Sequence, residues 1–252
     1  RLAPRFASEI ARWDNSGMLI VAATPIGNLG DHSPRLLEAL SSAALIVAED
    51  TRTTKKLLGA LGVQSRAEFL PLHEHNEAEQ IDYVLSVAAA SPVVLVSDAG
   101  MPGISDPGFA LVREAHRRDI TVSPLPGPSA VISALSASGL PTDRFSFEGF
   151  IPKKGKRGVL ESLQHEKRTM VFFESPHRLA DTLEQMVEVF GSERIGCVAR
   201  ELTKMFEDVR TDALGNLATH YAEGTKGEIT LIVQGFSGRE VSFDDAVAHA
   251  KQ

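Results

Sequence analysis

The stretch Pro92 to Gly108, PVVLVSDAGMPGISDPG, decides how this chain folds. Behind Pro92, the unbroken run Val93 to Val96 is β-branched or leucine at every position, which predicts a strand buried on both faces, as in a parallel sheet. The strand ends in Ser97, Asp98, Ala99 and Gly100. Gly100, Gly103 and Gly108 loosen the backbone beyond it, and Asp106 with Pro107 predicts the N-cap and first turn of the next helix. A ligand can sit above such a strand end. Residues 93–110 hold Asp98 and Asp106 but no lysine or arginine, whereas loops that cradle phosphates usually add a basic side chain to their amides. The loop therefore suits a cationic or zwitterionic ligand. A glycine-rich connection with no ligand has the same spacing. Neither G-x-G-x-x-G nor G-x-x-x-x-G-K-[ST] occurs in the chain.

Outward from this stretch, short apolar strands alternate with amphipathic helices. Met18 to Ala23 reads as a strand that breaks into the turn-rich loop from Thr24 through Pro25 and Gly27 to Gly30. Ser33 and Pro34 start a helix with Leu36, Leu37 and Leu40 on one face. Leu45 to Ala48 is a second strand, followed by Glu49, Asp50, Thr51 and Arg52 ahead of a helix carrying Leu57, Leu58 and Leu61. Helical spacing continues in Ile81, Val84, Leu85 and Ala88. After the glycine loop, a helix is expected over Pro107 to Arg118 and a strand over Ile120 to Val122. The alternation predicts a parallel or mostly parallel α/β sheet with right-handed crossovers.

Prolines crowd Pro124 to Ser129 and make a stiff connection. Four segments result: an extension at 1–17 holding Trp13, a domain at 18–127, a second α/β domain at 128–238, and a tail at 239–252 that starts a helix. In the second domain, strands are expected at Phe145 to Phe150, Met170 to Phe173, Ile195 to Ala199, near Val209 and at Ile229 to Val233. Ala130 to Ala137 reads as a small-residue helix. Ser175 and Pro176 are expected to cap a helix bearing Leu179, Leu183, Met186, Val187 and Phe190.

The composition, 43% hydrophobic and 23% charged, is that of a globular protein. Apolar runs such as Ala43 to Ala48 are too short to span a bilayer. The lone Cys197 cannot form an intramolecular disulfide, and the first residues lack an apolar signal core, so a cytoplasmic protein is expected. A net charge of −7 opposes non-specific coating of nucleic acid. Locally the sign reverses. Lys153, Lys154, Lys156, Arg157, Lys167, Arg168 and Arg178 outnumber Glu161, Glu166 and Glu174. Within this run KKGKRG reads as a flexible cationic loop, either simply solvated or gripping phosphates. His73, Glu74 and His75 are surface polar residues or half of a metal site; no cysteine or third clustered histidine supports the metal, and none is expected.

Five segments stand in series: TPIGNLGDHS at 24–33, AEDTRTTKKLL at 48–58, VSDAGMPGISDPG at 96–108, PLPGPSA at 124–130, and FFESPHRL at 172–179 with ARELTKMFE at 199–207. Together they resemble the tetrapyrrole methylase superfamily and, within it, the branch that methylates ribosomal RNA. The first loop reads A-T-P-I-G in place of the superfamily's commoner G-x-G-P-G, which fits the RNA branch better than a porphyrin enzyme. The resemblance spans roughly residues 18–236. It implies two α/β domains with S-adenosylmethionine in the cleft between them, a homodimer, and methylation of the ribose 2′-hydroxyl of a cytidine in the decoding region of 16S ribosomal RNA within the small subunit.

By motif, the resemblance places the cofactor against Pro25, Gly27, Asp98, Ala99, Gly100, Ser129, Ala130, Phe173 and Leu202. It makes Lys153, Lys154, Lys156, Arg157, Arg178, Arg200 and Lys204 candidates for RNA phosphates. Transfer to a hydroxyl needs close positioning and a proton acceptor rather than a metal. Glu49, Glu174 and His177 lead the candidate acceptors, with Asp50, His73, His75, Glu201 and Lys204 behind them. Each has a structural alternative. Glu174 can cap a helix with Ser175, and Arg52 can pair internally with Glu49 or Asp50. Two other functions remain open: methylation of a tetrapyrrole or a protein side chain by the same fold, and non-catalytic binding to the ribosome.

Overall fold

The computed structural model describes residues 17–73 and 75–238; the expected extension with Trp13, residue Glu74 and the tail from 239 lie outside the described residues. The described chain divides into two compact units, 17–25 with 29–127, and 26–28 with 128–238. Both are α/β, each built on a five-stranded sheet.

In the first unit all strands are parallel. β1 (Met18–Ala22), β2 (Leu45–Ala48), β3 (Glu68–Pro71), β4 (Pro92–Val96) and β5 (Val122–Leu125) lie in the order β3-β2-β4-β1-β5. Every residue of β4 is buried, because successive side chains feed two different cores. Val94 and Val96 join Ile20 and Ile46 against Leu36 and Leu40 of α1 (Pro34–Ser42) and Leu58 of α2 (Thr51–Leu61). Val93 and Leu95 join Leu19 and Val47 against Val84 and Leu85 of α3 (Glu77–Ala88) and Leu111 of α4 (Phe109–Arg117). Each such leucine or valine, fully withdrawn from water, contributes about 1.5–3 kcal/mol before chain entropy is charged against it.

Local chemistry sets several ends, the one at Ser33 and Pro34 as expected. Ser33 caps α1 by accepting from the Arg35 N–H, with Pro34 in the first turn. Asp50 caps α2 through the Arg52 N–H at 2.8 Å. Other boundaries differ. Asp106 and Pro107 do not open α4. The Pro107 carbonyl instead accepts from the Gly103 N–H, closing a turn, and the helix starts at Phe109 after Gly108. The fifth strand runs through Pro124 rather than stopping at Val122, which an edge strand permits because its outward N–H needs no partner. β3 escapes the sequence reading, since only Phe69 and Leu70 carry an apolar signal.

In the second unit β6 (Phe145–Phe150), β7 (Thr169–Glu174), β8 (Ile195–Arg200), β9 (Asp208–Ala213) and β10 (Ile229–Val233) form a mixed sheet, ordered β6-β7-β10-β8-β9. Only β6 and β7 pair in parallel. One face packs on α6 (Lys156–Ser162), α7 (Leu179–Phe190) and α8 (Leu214–His220) around Phe172, Leu183 and Leu217. The other carries Val131 and Leu135 of α5 (Ala130–Ala137). Two expectations are corrected here. KKGKRG is not a loop throughout, because α6 begins at Lys156. Ser175 and Pro176 form a turn rather than a cap: the Ser175 carbonyl accepts from the Arg178 N–H, and α7 starts one residue later.

Candidate functional site

The carboxyl ends of the parallel strands gather the polar groups of the first unit. β1 and β4 are neighbours, yet the chain leaves β1 towards β2 through α1 and leaves β4 towards β5 through α4, on opposite faces of the sheet. Where adjacent strands send their connections apart, a crevice opens at the carboxyl edge, the usual ligand position in such sheets. The two loops are tied across it by a reciprocal backbone pair, Thr24 N–H to the Gly100 carbonyl at 2.9 Å and Gly100 N–H to the Thr24 carbonyl at 3.2 Å. The buried Thr24 hydroxyl donates to the Ser97 carbonyl at 3.3 Å.

Four carboxylates meet at this edge. The Asp50 N–H donates to Asp98 Oδ1 at 3.2 Å, and the Asp98 N–H donates to Glu49 Oε2 at 3.4 Å. Asp50 is also gripped by Arg52, whose Nη2 lies 2.7 Å from Oδ2, so the side-chain and backbone bonds from Arg52 hold its carboxyl at about 2. This is the internal pairing that was one of the two readings of Arg52. Asp98 titrates above the usual range, because burial outweighs the bonds it accepts. Asp106 goes further, to about 6: burial is the main cause, the Glu49 charge adds to it, and a bond from the Ser97 hydroxyl only partly offsets both. Asp106 is the group that the sequence reading mistook for a helix cap. Nothing in S-D-P-G marks it otherwise, since the competing claim of Gly108 on the helix start is tertiary.

Asp106 gives a stability prediction. Its folded pKa lies above the unfolded value, so between about pH 4 and pH 6 the native state binds more protons than the unfolded state, and stability falls as pH rises through that window. Asp106→Asn removes the loss while keeping an acceptor for Ser97. Discounted for a half-exposed group, the variant should be more stable than wild type by about 1 kcal/mol at pH 7.5 and indistinguishable at pH 4. Urea unfolding at the two pH values measures this, and an equal offset at both would rule out the titration.

In the second unit the structure separates the expected residues into two groups. Glu174 is fully buried and fully engaged: it pairs with Arg178, accepts from the Ser175 N–H and accepts from the Thr182 hydroxyl at 2.6 Å. Arg178 in turn donates to the Ile151 carbonyl at 2.9 Å. Lys156 is also withdrawn. Its side chain is 7% exposed, and its ammonium is bound by Asp181 and by Thr182 at 2.7 Å. Glu174 therefore offers no free carboxylate to a substrate and Lys156 no free ammonium to a phosphate; burial inside one network is the reason for both corrections. The pattern was illegible in sequence because Asp181 and Thr182 lie far from Lys156 along the chain. Lys153 and Lys154 stay exposed. Arg157 is exposed but shared between Glu161 and Glu188. His177 is exposed in the turn before α7.

The β8–β9 connection forms the second group. Lys204 binds Glu201 at 2.9 Å and Glu228 at 3.1 Å. Burial works against its ammonium, but these carboxylates outweigh it and raise the pKa, while Lys204 in turn lowers that of Glu201. Arg200 Nη1 reaches the Lys226 carbonyl at 3.5 Å. Gly27, which groups with this unit, lies so close to the connection that a Cβ there would stand 2.5 Å from Lys204 Cγ and 2.9 Å from Thr203 Oγ1. The Thr203 hydroxyl is buried without a hydrogen-bond partner among the described residues. Leu202 packs on the α5 side of the sheet. Phe173 stacks edge-on with Phe147 at 5.0 Å and tilted with Phe150 at 5.3 Å. Ser129 is the N-cap of α5, ahead of Ala130, and makes no side-chain cap bond. His73 and His75 lie exposed with ring centroids 6.1 Å apart, and no group of three metal-ligating side chains occurs among the described residues. No helix among them is long and apolar enough to cross a membrane.

Residues 18–218 match the family model for tetrapyrrole (corrin/porphyrin) methylases. The chain is 48% identical to the ribosomal RNA small subunit methyltransferase I of Xylella fastidiosa over 232 residues, covering 90% of this chain and 84% of that protein. It is 47% identical to the protein of the same name from Escherichia coli O157:H7, covering 90% and 81%. Among solved structures, a uroporphyrin-III-C-methyltransferase from Thermus thermophilus superposes with a TM-score of 0.61 at 19% identity, over 93% of this chain and 97% of that one. A diphthine synthase gives 0.64 at 16%, over 86% and 89%. These two establish likeness of fold alone.

Proposed function

Because the chain belongs to the tetrapyrrole (corrin/porphyrin) methylase family, we propose that it is an S-adenosylmethionine-dependent methyltransferase. Its substrate in this reading is the ribose 2′-hydroxyl of a cytidine in the decoding region of 16S ribosomal RNA, met within the small subunit. The names of the relatives, ribosomal RNA small subunit methyltransferase I, support the RNA. The observation that carries the donor is the strand-end edge at Thr24 and Gly100, lined by Glu49, Asp98 and Asp106, in a stretch, 93–110, that holds no lysine or arginine to bind a phosphate.

The residues present fit S-adenosylmethionine. It carries a sulfonium and an ammonium but no phosphate, and carboxylates at a strand end complement that charge. When bound, it supplies a methyl group activated by the positive sulfur. Asp98 would hold the cationic part of the donor, with Ala99, Gly100 and Pro25 offering small, backbone-lined contacts. Gly27, Ser129, Ala130, Phe173 and Leu202 complete the set that the resemblance assigns to the donor, and the Thr203 hydroxyl, without a partner among the described residues, has a hydrogen bond to give. Lys153, Lys154, Arg157 and Arg200 position RNA phosphates in this reading. With Glu174 committed to its buried partners, His177 and Glu49 remain to accept the hydroxyl proton. A homodimer belongs to the same proposal.

Incubation with tritiated S-adenosylmethionine and unmodified 30S subunits, followed by digestion of the RNA, tests it. Label on the 2′-oxygen of a cytidine is expected. Label only on a uroporphyrinogen-type substrate offered in parallel would transfer the assignment to tetrapyrroles.

A further inference from the structure

The first unit bears an exposed aromatic and cationic stripe that neither the donor site nor the 153–157 segment uses. Phe109, the first residue of α4, is 67% exposed. One turn on, the Arg113 guanidinium lies over its ring, 5.4 Å from the centroid. His116 and Arg117 follow on the same side at helical spacing, and both are exposed. Arg117 and Arg118 are engaged by Glu114 and Asp82, whereas Arg113 has no carboxylate partner among the described residues. An arginine without a carboxylate partner, stacked on an open phenylalanine, presents a guanidinium plane and an aromatic face side by side.

Its position is fixed rather than incidental. Gly108 sits at φ +124°, where a side chain is strained, and a Cβ there would come 2.8 Å from Leu95 Cδ2, so the helix start is pressed onto β4. The Glu77 carboxylate accepts from the Leu111 N–H at 2.9 Å, supplying from α3 the cap that Gly108 lacks. The Gly103 to Pro107 bond closes the loop that joins Asp98 and Asp106 to Phe109. The same rigid turn thus carries the carboxylate edge and the aromatic residue.

We propose that Phe109 and Arg113 form a stacking platform for an unpaired base of the RNA substrate, an inference that rests on the RNA reading above. Aromatic rings and guanidinium planes hold splayed-out bases, and nearby cations hold the backbone. Phe109 takes the base and Arg113 completes the stack. Arg113, the arginine of α4 with no carboxylate partner among the described residues, also faces a neighbouring phosphate.

The test compares wild type with Phe109→Ala, Phe109→Trp and Arg113→Ala in steady-state methylation of unmodified 30S subunits, direct subunit binding by cosedimentation, and calorimetry of S-adenosylmethionine. Loss of one stacked base should raise KM for subunits and weaken cosedimentation on the order of 10-fold to 100-fold in Phe109→Ala, with donor affinity unchanged and Phe109→Trp close to wild type. Arg113→Ala should weaken binding and reduce its salt slope by about 1. Subunit affinity within about twofold of wild type in Phe109→Ala overturns the platform. So does a change of oligomeric mass in that variant by sedimentation, which would assign the face to a contact between copies. If wild type labels no RNA but Phe109→Ala still loses subunit binding, the methylation reading fails and the platform stands; if wild type binds no subunits, both fall.

Discussion

Arg178→Met should be the most damaging single substitution at any polar position of the second unit, lowering its stability by about 3–5 kcal/mol. The reason is Glu174. Its carboxylate is 0% exposed, and Arg178 is the cation that pairs with it, the other two donors being the neutral Ser175 N–H and Thr182 hydroxyl. Removing the guanidinium strands a buried charge and orphans the Ile151 carbonyl as well. Glu174→Gln combined with Arg178→Met should recover most of the loss, because a neutral amide keeps bonds to its neighbours without the uncompensated charge. Urea unfolding followed by circular dichroism, with hydrogen exchange over residues 169–190 to localise the change, closes the double-mutant cycle. A single-mutant cost below about 1 kcal/mol would mean that water reaches Glu174 and that the network is not the constraint described.

The second large effect falls on binding, with the fold left intact. Asp98→Asn should weaken S-adenosylmethionine binding by roughly 10-fold to 150-fold, the range expected when a charge-assisted bond is lost. Stability should change little: burial already disfavours the ionised carboxyl, and asparagine still offers an oxygen to the Asp50 N–H. Calorimetry of donor binding and thermal unfolding of the same samples separate the two readouts. Unchanged donor affinity would move the cationic contact from Asp98 to Glu49 or Asp106, and joint loss of affinity and stability would make Asp98 a structural residue of the β2–β4 edge.

These two residues show where sequence reading succeeded and where it stopped. Asp98 follows an unbroken apolar strand and precedes glycines, so its place at a parallel strand end was legible from local pattern alone. Glu174 closes β7, and its engagement was only half legible: Ser175 and Arg178 stand beside it in sequence, but its burial and the Thr182 link to Lys156 of α6 come from packing. Lys156 misled for the same reason: among KKGKRG nothing distinguishes the one lysine that turns inward. Asp106 looked like a helix cap because Asp-Pro usually is one, until Gly108, pressed against Leu95, took the helix start.

By itself the sequence determined the alternation of strands and helices, the burial of β4 on both faces, the start of α1 at Ser33 and Pro34, and the family. Each of these depends on neighbours within a few residues or on the order of motifs along the chain. Only the tertiary structure decided the mixed second sheet, the edge strand β3, the withdrawal of Glu174 and Lys156, the raised pKa of Asp106 and the open stack of Phe109 and Arg113. Those depend on burial and on charges brought close by folding, and desolvation is a property of the packed chain that no local stretch of it carries.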